Sequence, residues 1–301
     1  MTRHQFIEVD GHRLFYREAG HPEDPTVVLL HGAPASSHMF RDLIPLLAGR
    51  YHVLAPDHLG FGLSDSPTTA QFSYSFERLT DLVEGLLAQL DVHCYAIYVQ
   101  DYGAPVGWRL ALRHPGSITA IVTQNGNGYS EGFVAPFWEP LWAYAKHQSA
   151  ETEAPLRQAL TEDRIRWQYL HGVPDPATVS PDARRSDLQS LQRPGNLEVQ
   201  LRLFRDYPSN VALYGQLQAY LRRSQVPLLA VWGRNDEIFA AADAKAFTRD
   251  LPAAEVHLLD GGHFLLESDL DTVVGYLHGF LGRVLARPAA PRAVTRTAHA
   301  A

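Results

Sequence analysis

The spacing of apolar and polar residues changes period several times along the chain, and the changes outline its architecture. From Phe6 to Tyr16 apolar and polar positions alternate on either side of Asp10-Gly11, which predicts a β-hairpin turned at that dipeptide. Residues 26–30, 51–55, 95–99, 118–123, 226–232 and 255–259 read as strands, with 26–30 fully apolar and 95–99 buried. Stretches of helical spacing lie between them. Residues 75–90 place Phe76, Leu79, Leu82, Val83, Leu86, Leu87 and Leu90 on one face, with Ser75 as N-cap. Further helices are expected over 39–48, 241–250 and 270–286. Strands alternating with helices predict a parallel sheet with right-handed crossovers. In such a sheet the ligand site lies beyond the carboxyl ends of the strands.

The alternation stops between residues 129 and 215. That segment is rich in helix formers and aromatics and carries the loop signals Gly172-Val-Pro-Asp-Pro176 and Arg193-Pro-Gly195. It reads as a helical cap inserted into a core formed by residues 1–128 and 216–286. The last stretch, 287–301, is rich in Ala, Pro, Arg and Thr and reads as a disordered tail. Composition narrows the function classes. Apolar residues make up 46% and charged residues 20%, as in ordinary globular proteins, and the net charge of −7 offers no footprint for nucleic acid. No apolar run approaches the ~20 residues of a membrane-spanning helix, and the N-terminus lacks a signal-peptide core, so no membrane partner and a cytoplasmic location are expected. The single cysteine, Cys94, excludes an internal disulfide and reads as an inert thiol packed at the start of a buried strand. None of the 15 histidines has metalloprotease H-E-x-x-H spacing, so neither metal nor other cofactor is expected.

Residues 95–113 concentrate the chemistry. An apolar strand turns sharply at Asp101-Tyr102-Gly103 and continues as a helix that tolerates Pro105 in its first turn. Strand, tight turn and helix form a nucleophile elbow, usually written G-x-S-x-G. Here it reads Val99-Gln100-Asp101-Tyr102-Gly103, with a carboxylate in the serine's place and Val99 in the first glycine's. Alone, Asp101 could equally be a helix cap. However, His31, Asp57, Asp101 and Asn125 all fall at carboxyl ends of expected strands, and Asp236 and His263 follow later ones. Asp101, Asp236 and His263 stand in the order nucleophile, acid, histidine.

These residues, together with His31-Gly-Ala-Pro34, Asp57-x-x-Gly60-x-Gly62-x-Ser64, Trp232-Gly-x-x-Asp236 and Gly262-His263-Phe264, resemble the α/β-hydrolase superfamily over about residues 5–285. The specific resemblance is to its aspartate-nucleophile branch, the epoxide hydrolases and haloalkane dehalogenases. It implies an α/β fold, a mostly parallel central sheet flanked by helices with an inserted helical cap. It also implies that Asp101 attacks carbon and forms an alkyl ester, which water can cleave as it could not cleave the ether left by a serine. His263 would activate that water, Asp236 would hold the imidazole, and the N–H groups of Ala33 and Tyr102 would bind the oxyanion. Asn125 stands where one dehalogenase branch places its acid; an amide cannot serve there, which favours Asp236. His31 and Asp57 are expected to shape loops.

The resemblance leaves the electrophile to be chosen. Dehalogenases of this branch hold halide with an indole after the nucleophile and a second Trp or Asn; here Tyr102 and Ala33 occupy two of those places. Trp138 and Trp142 are candidate substitutes. The arginines of haloacetate dehalogenases are absent after Asp101. Epoxide hydrolases use cap tyrosines, and Phe204-Arg-Asp-Tyr207-Pro-Ser-Asn210 resembles the segment supplying one, although Pro208 departs from the usual Tyr-Arg. Tyr207 is therefore the first candidate, with Tyr129, Tyr144 or Tyr169 for a second. The resulting expectation is epoxide hydrolysis on a hydrophobic small molecule. Haloalkane dehalogenation is the alternative, followed by an esterase-like hydrolase or a non-catalytic binder on the same fold. Homodimer formation stays open.

Overall fold

Asp10 and Gly11 both adopt left-handed backbone, with φ of 51° and 74°, and turn β1 (Arg3–Val9) into β2 (His12–Ala19). The computed structural model describes residues 1–285, and the expected disordered tail at 287–301 lies outside them. The remaining strands are β3 (Thr26–Leu30), β4 (His52–Pro56), β5 (Tyr95–Gln100), β6 (Ile118–Gln124), β7 (Leu228–Gly233) and β8 (Glu255–Leu259). They form one 8-stranded sheet in the order β1-β2-β4-β3-β5-β6-β7-β8. Both pairings of β2 are antiparallel, and every other pairing is parallel. Strand β5 is buried at all positions, and its period of two feeds two cores. Tyr95, Ile97 and Val99 pack on one face, Ala96 and Tyr98 on the other.

The helices of the first half are α1 (Leu43–Leu47), α2 (Phe76–Gln89) and α3 (Gly103–Arg113). Ser75 caps α2 as expected, its Oγ accepting from Arg78 N at 3.1 Å. The single helix expected at 39–48 is instead a 3-10 turn, Ser37–Phe40, followed by α1. Pro45 has no amide hydrogen and fits only in a first turn, so the helix restarts at Leu43.

Between β6 and β7 the chain runs through α4 (Ala135–Lys146), α5 (Ala150–Ala159), α6 (Glu162–Leu170), α7 (Pro181–Leu191), α8 (Asn196–Asp206), α9 (Pro208–Val211) and α10 (Tyr214–Ser224). These helices form a segment inserted between β6 and β7. Helix α10 packs against α3 and against α11 (Ala241–Asp250), so the chain has rejoined the layers flanking the sheet by about residue 214. The short α12 (Leu265–Ser268) and α13 (Leu270–Val284) complete the order, and α13 packs on α1. No helix among the described residues is long and apolar enough to cross a membrane.

The expectation for the cysteine also fails. Cys94 is exposed, not packed, because it lies in the turn before β5, which begins only at Tyr95.

Candidate active site

The elbow is built by close backbone approach. Asp101 carries φ 48°, a left-handed conformation unusual outside glycine, and sits between the end of β5 and the start of α3. A Cβ on Gly103 would lie 2.0 Å from Leu30 O, so only glycine lets the turn rest against β3. A Cβ on Gly32 would lie 2.2 Å from Asp101 Cβ, which explains the glycine after His31. Val99, in place of the elbow's first glycine, is accommodated from the other side. Its Cγ1 reaches to 2.5 Å from where a Cβ on Gly107 would stand.

The three residues expected as a triad converge from residues 101, 236 and 263. Asp101 Oδ1 accepts hydrogen bonds from Ala33 N at 2.7 Å and Tyr102 N at 2.6 Å. Asp101 Oδ2 lies 3.8 Å from His263 Nε2. His263 Nδ1 is 2.8 Å from Asp236 Oδ2, the distance of a charge-assisted hydrogen bond. Asp236 is itself held firmly, its Oδ1 accepting from the N–H groups of Ile238 and Phe239. Asn125, left-handed at φ 46°, completes this arrangement: Nδ2 donates to Asp236 Oδ2 at 2.7 Å, and Oδ1 accepts from Gly233 N at 3.1 Å. It holds the Asp236 carboxylate that faces His263.

Burial dominates the electrostatics. Asp101 is pushed up to about 6 by desolvation, against the lowering effect of His263 and the two backbone donors. For His263, burial alone would lower the pKa. The carboxylate of Asp236, by charge and hydrogen bond, and that of Asp101 outweigh it and raise the net value. His31 and Asp57 have the loop roles expected of them. Asp57 accepts from Ser37 N and Leu63 N, while His31 Nε2 accepts from His58 N. His31 is lowered to about 4 by burial and stays neutral.

A cavity of about 40 Å³ opens on Asp101, with Ala33, Tyr102, Trp138, Ile165, Gln168 and Phe204 among its walls. A second space of about 240 Å³ between α4, α5 and α8 shares Phe137, Leu141, Ala159 and Phe204 with it. The sequence-predicted aromatic contacts divide here. Trp138 lines the cavity, but its indole N–H is committed to Ile238 O at 2.7 Å. Trp142 is stacked on Trp138 at 5.4 Å and lies off the cavity wall. The Trp138 donor is therefore spent on the backbone, and Trp142 lies away from the cavity that holds Asp101. Tyr207 is fully buried just behind the wall, its ring centroid 4.5 Å from Trp138 and 6.1 Å from Tyr102. Among the alternative tyrosines, the Tyr129 hydroxyl donates to Asp250 at 2.7 Å and that of Tyr169 to Asp187. Tyr144 does not line the cavity.

Two glutamines escaped the sequence reading. Gln100 Nε2 is 2.8 Å from His263 Nε2, in keeping with a neutral imidazole protonated on Nδ1. Its adjacency to Asp101 was a signal that could have singled it out. Gln168 has no such signal, since its place on the wall follows from the docking of α6.

An elbow aspartate, two backbone donors and an Asp–His pair at the strands' carboxyl ends define a hydrolase-type site on an α/β sheet. The sequence profile of the α/β hydrolase fold family matches residues 25–270, and the chain belongs to that family. It is 45% identical over 268 residues to an uncharacterised hydrolase of Saccharomyces cerevisiae, covering 88% of this chain and 92% of that protein. It is 31% identical over 261 residues to a haloalkane dehalogenase of Mycobacterium marinum, covering 85% and 84% of the two chains. The solved structure of the epoxide hydrolase CorEH superposes with a TM-score of 0.73 over 94% of this chain and 99% of that one. At 18% identity, that last likeness is one of fold.

Proposed function

We propose that this hydrolase opens epoxides through an ester formed on Asp101. The observation carrying the proposal is the division of labour between the two Asp101 oxygens. Oδ1 already accepts from Ala33 N and Tyr102 N, while Oδ2 faces His263 at 3.8 Å. Oδ2 attacks an epoxide carbon; the ring C–O bond breaks, and its electron pair goes to the ring oxygen, which takes the proton of a phenol. Tyr207, packed against Trp138 behind the wall, is the phenol assigned this step. Burial first, then neighbouring Tyr214 and Asp101, raise its pKa well above the usual value, so it is a proton-bearing donor at rest. Water, deprotonated by His263, then attacks the ester carbonyl, and charge developing on Oδ1 is met by donors already in place. Collapse of that intermediate breaks the Cγ–Oδ2 bond. It releases the diol with Oδ2, leaves the water oxygen on Asp101, and returns the surplus proton through His263 to the phenolate.

Epoxide is favoured over halide because the indole N–H on the cavity wall is committed to Ile238. Haloalkane dehalogenation is the second reading, supported by the identity to the M. marinum dehalogenase. The same ester would form, with halide departing instead.

Intact-protein mass spectrometry of His263→Gln, incubated separately with styrene oxide and 1-bromobutane, tests both. Activation of water is removed, so the ester accumulates. A mass gain equal to the whole epoxide, mapped to Asp101, supports the proposal. A gain equal to butyl from the bromide alone moves the activity to dehalogenation. No adduct with either sinks the ester mechanism.

A further inference from the structure

We infer that Gln168 is a substrate-binding residue of this site, its carboxamide N–H donating to the oxygen that leaves the epoxide carbon. The inference rests on the Asp101 reading above and adds the group facing it across the cavity.

Helix α6 buries Ile165, Gln168 and Tyr169. Ile165 and Gln168, one turn apart, share a face and line the cavity that holds Asp101. Gln168 is 9% exposed, and its Oε1 is buried without a hydrogen-bond partner among the described residues. Buried polar groups are ordinarily paired, and α6 meets that rule at the very next residue, where Tyr169 bonds to Asp187. A carboxamide oxygen left unpaired on the wall of the cavity that holds Asp101 is placed to meet a ligand. On the core side Tyr102, whose buried hydroxyl is also unpaired, sits next to Asp101 in the chain; on the insertion side the rest of the wall leaves few competitors. The insertion contributes Phe137, Leu141, Leu160 and Phe204, which are apolar, and Trp138, whose N–H is committed to Ile238.

Position supplies the chemical argument. Displacement at saturated carbon needs the nucleophile and the leaving oxygen on opposite sides of that carbon. Asp101 stands on the sheet side of the cavity and Gln168 on the insertion side. Rotation about the terminal torsion exchanges the amide N–H₂ and carbonyl, so the donor end can face the ligand. A carboxamide does not give up its proton; it lowers the barrier by stabilising charge on the oxygen while the phenol supplies the proton. The substrate class follows: a small epoxide whose only polar atom meets Gln168 and whose carbon skeleton meets the apolar wall.

Leucine is close to glutamine in size, so Gln168→Leu tests the role without leaving a cavity. In the His263→Gln background, the rate of adduct formation with styrene oxide should fall at least tenfold on adding Gln168→Leu. It should return to within about threefold for Gln168→His, which restores an N–H donor. Alone, Gln168→Leu should reduce kcat/KM for diol formation by a similar factor. Its Tm should hold or rise, because an unpaired buried amide is gone. Unchanged rates in both backgrounds would overturn the inference while leaving the Asp101 ester standing. A rate loss accompanied by a lowered Tm, and equal in Gln168→His, would overturn it in favour of a structural role. If His263→Gln forms no adduct at all, the underlying mechanism fails, and an unchanged kcat/KM in Gln168→Leu would then reject the residue's role independently.

Discussion

Asp101 and His263 titrate against each other, and the signs of their shifts set the pH behaviour at the residue scale. For the proposed ester to form, Asp101 must be ionised, and burial holds its pKa at about 6. Ester formation should therefore rise as pH climbs through about 6. Ester hydrolysis needs neutral His263, whose pKa is raised by Asp236 and Asp101 against its burial. That limb lies above the ordinary imidazole value in the free enzyme, and it moves back toward it once esterification removes the Asp101 charge. Acid-quenched turnover followed by mass spectrometry should show the esterified fraction increasing as pH falls toward 6.5. Asp236→Asn should have a different signature. It leaves Asp101 in place but favours the wrong imidazole tautomer, so hydrolysis should fall by about 10⁴ while a burst of ester formation survives.

At the scale of elements, α6 and α7 are joined by a buried acid. Asp187, on α7, takes the Tyr169 hydroxyl bond from α6, and desolvation raises its pKa to about 7. Tyr169 in turn stacks on Phe264, next to His263, with ring centroids 4.1 Å apart. The folded state holds the Asp187 proton more tightly than the unfolded chain, so this group's stabilisation is fully present below pH ~4. It is lost as pH rises through about 7. Asp187→Asn cannot ionise, and its Tm should be less sensitive to pH between 4 and 7 than that of the parent. Parallel Tm–pH curves for the two proteins would refute the assignment. The sequence revealed the helical character of this insertion but not this pairing, because Tyr169 and Asp187 are joined only when two helices pack.

For the whole molecule, the insertion must stay seated for the cavity to stay closed. Arg109, on α3 and 4% exposed, ties the two parts together. It bonds Glu77 through Nε, Pro105 O and Asn210 Oδ1 through Nη1, and Ser209 Oγ through Nη2. Arg109→Met keeps the apolar stem but strands these partners, at a cost of about 2–3 kcal/mol. Thermal unfolding should show a lower Tm, and KM should rise more than kcat falls as α9, which follows Tyr207, loosens.

The sequence by itself determined most of the frame. Period-two apolar runs specify strands, period-3.6 stretches specify helices, and both signals are local. Asp101, Asp236 and His263 were legible because each follows a strand, and a parallel sheet delivers all strand ends to one edge. Only the tertiary structure decided which polar groups are free. Trp138 looked available until its N–H met Ile238, 100 residues away. Cys94 looked packed beside its strand until the bend before Tyr95 left it at the surface. Asn125 proved to be the orienting partner of Asp236, 111 residues away. Gln168 became conspicuous only as an unpaired amide on the cavity wall. Secondary structure is written in spacing between near neighbours; the commitment of a hydrogen bond depends on residues that only folding brings together.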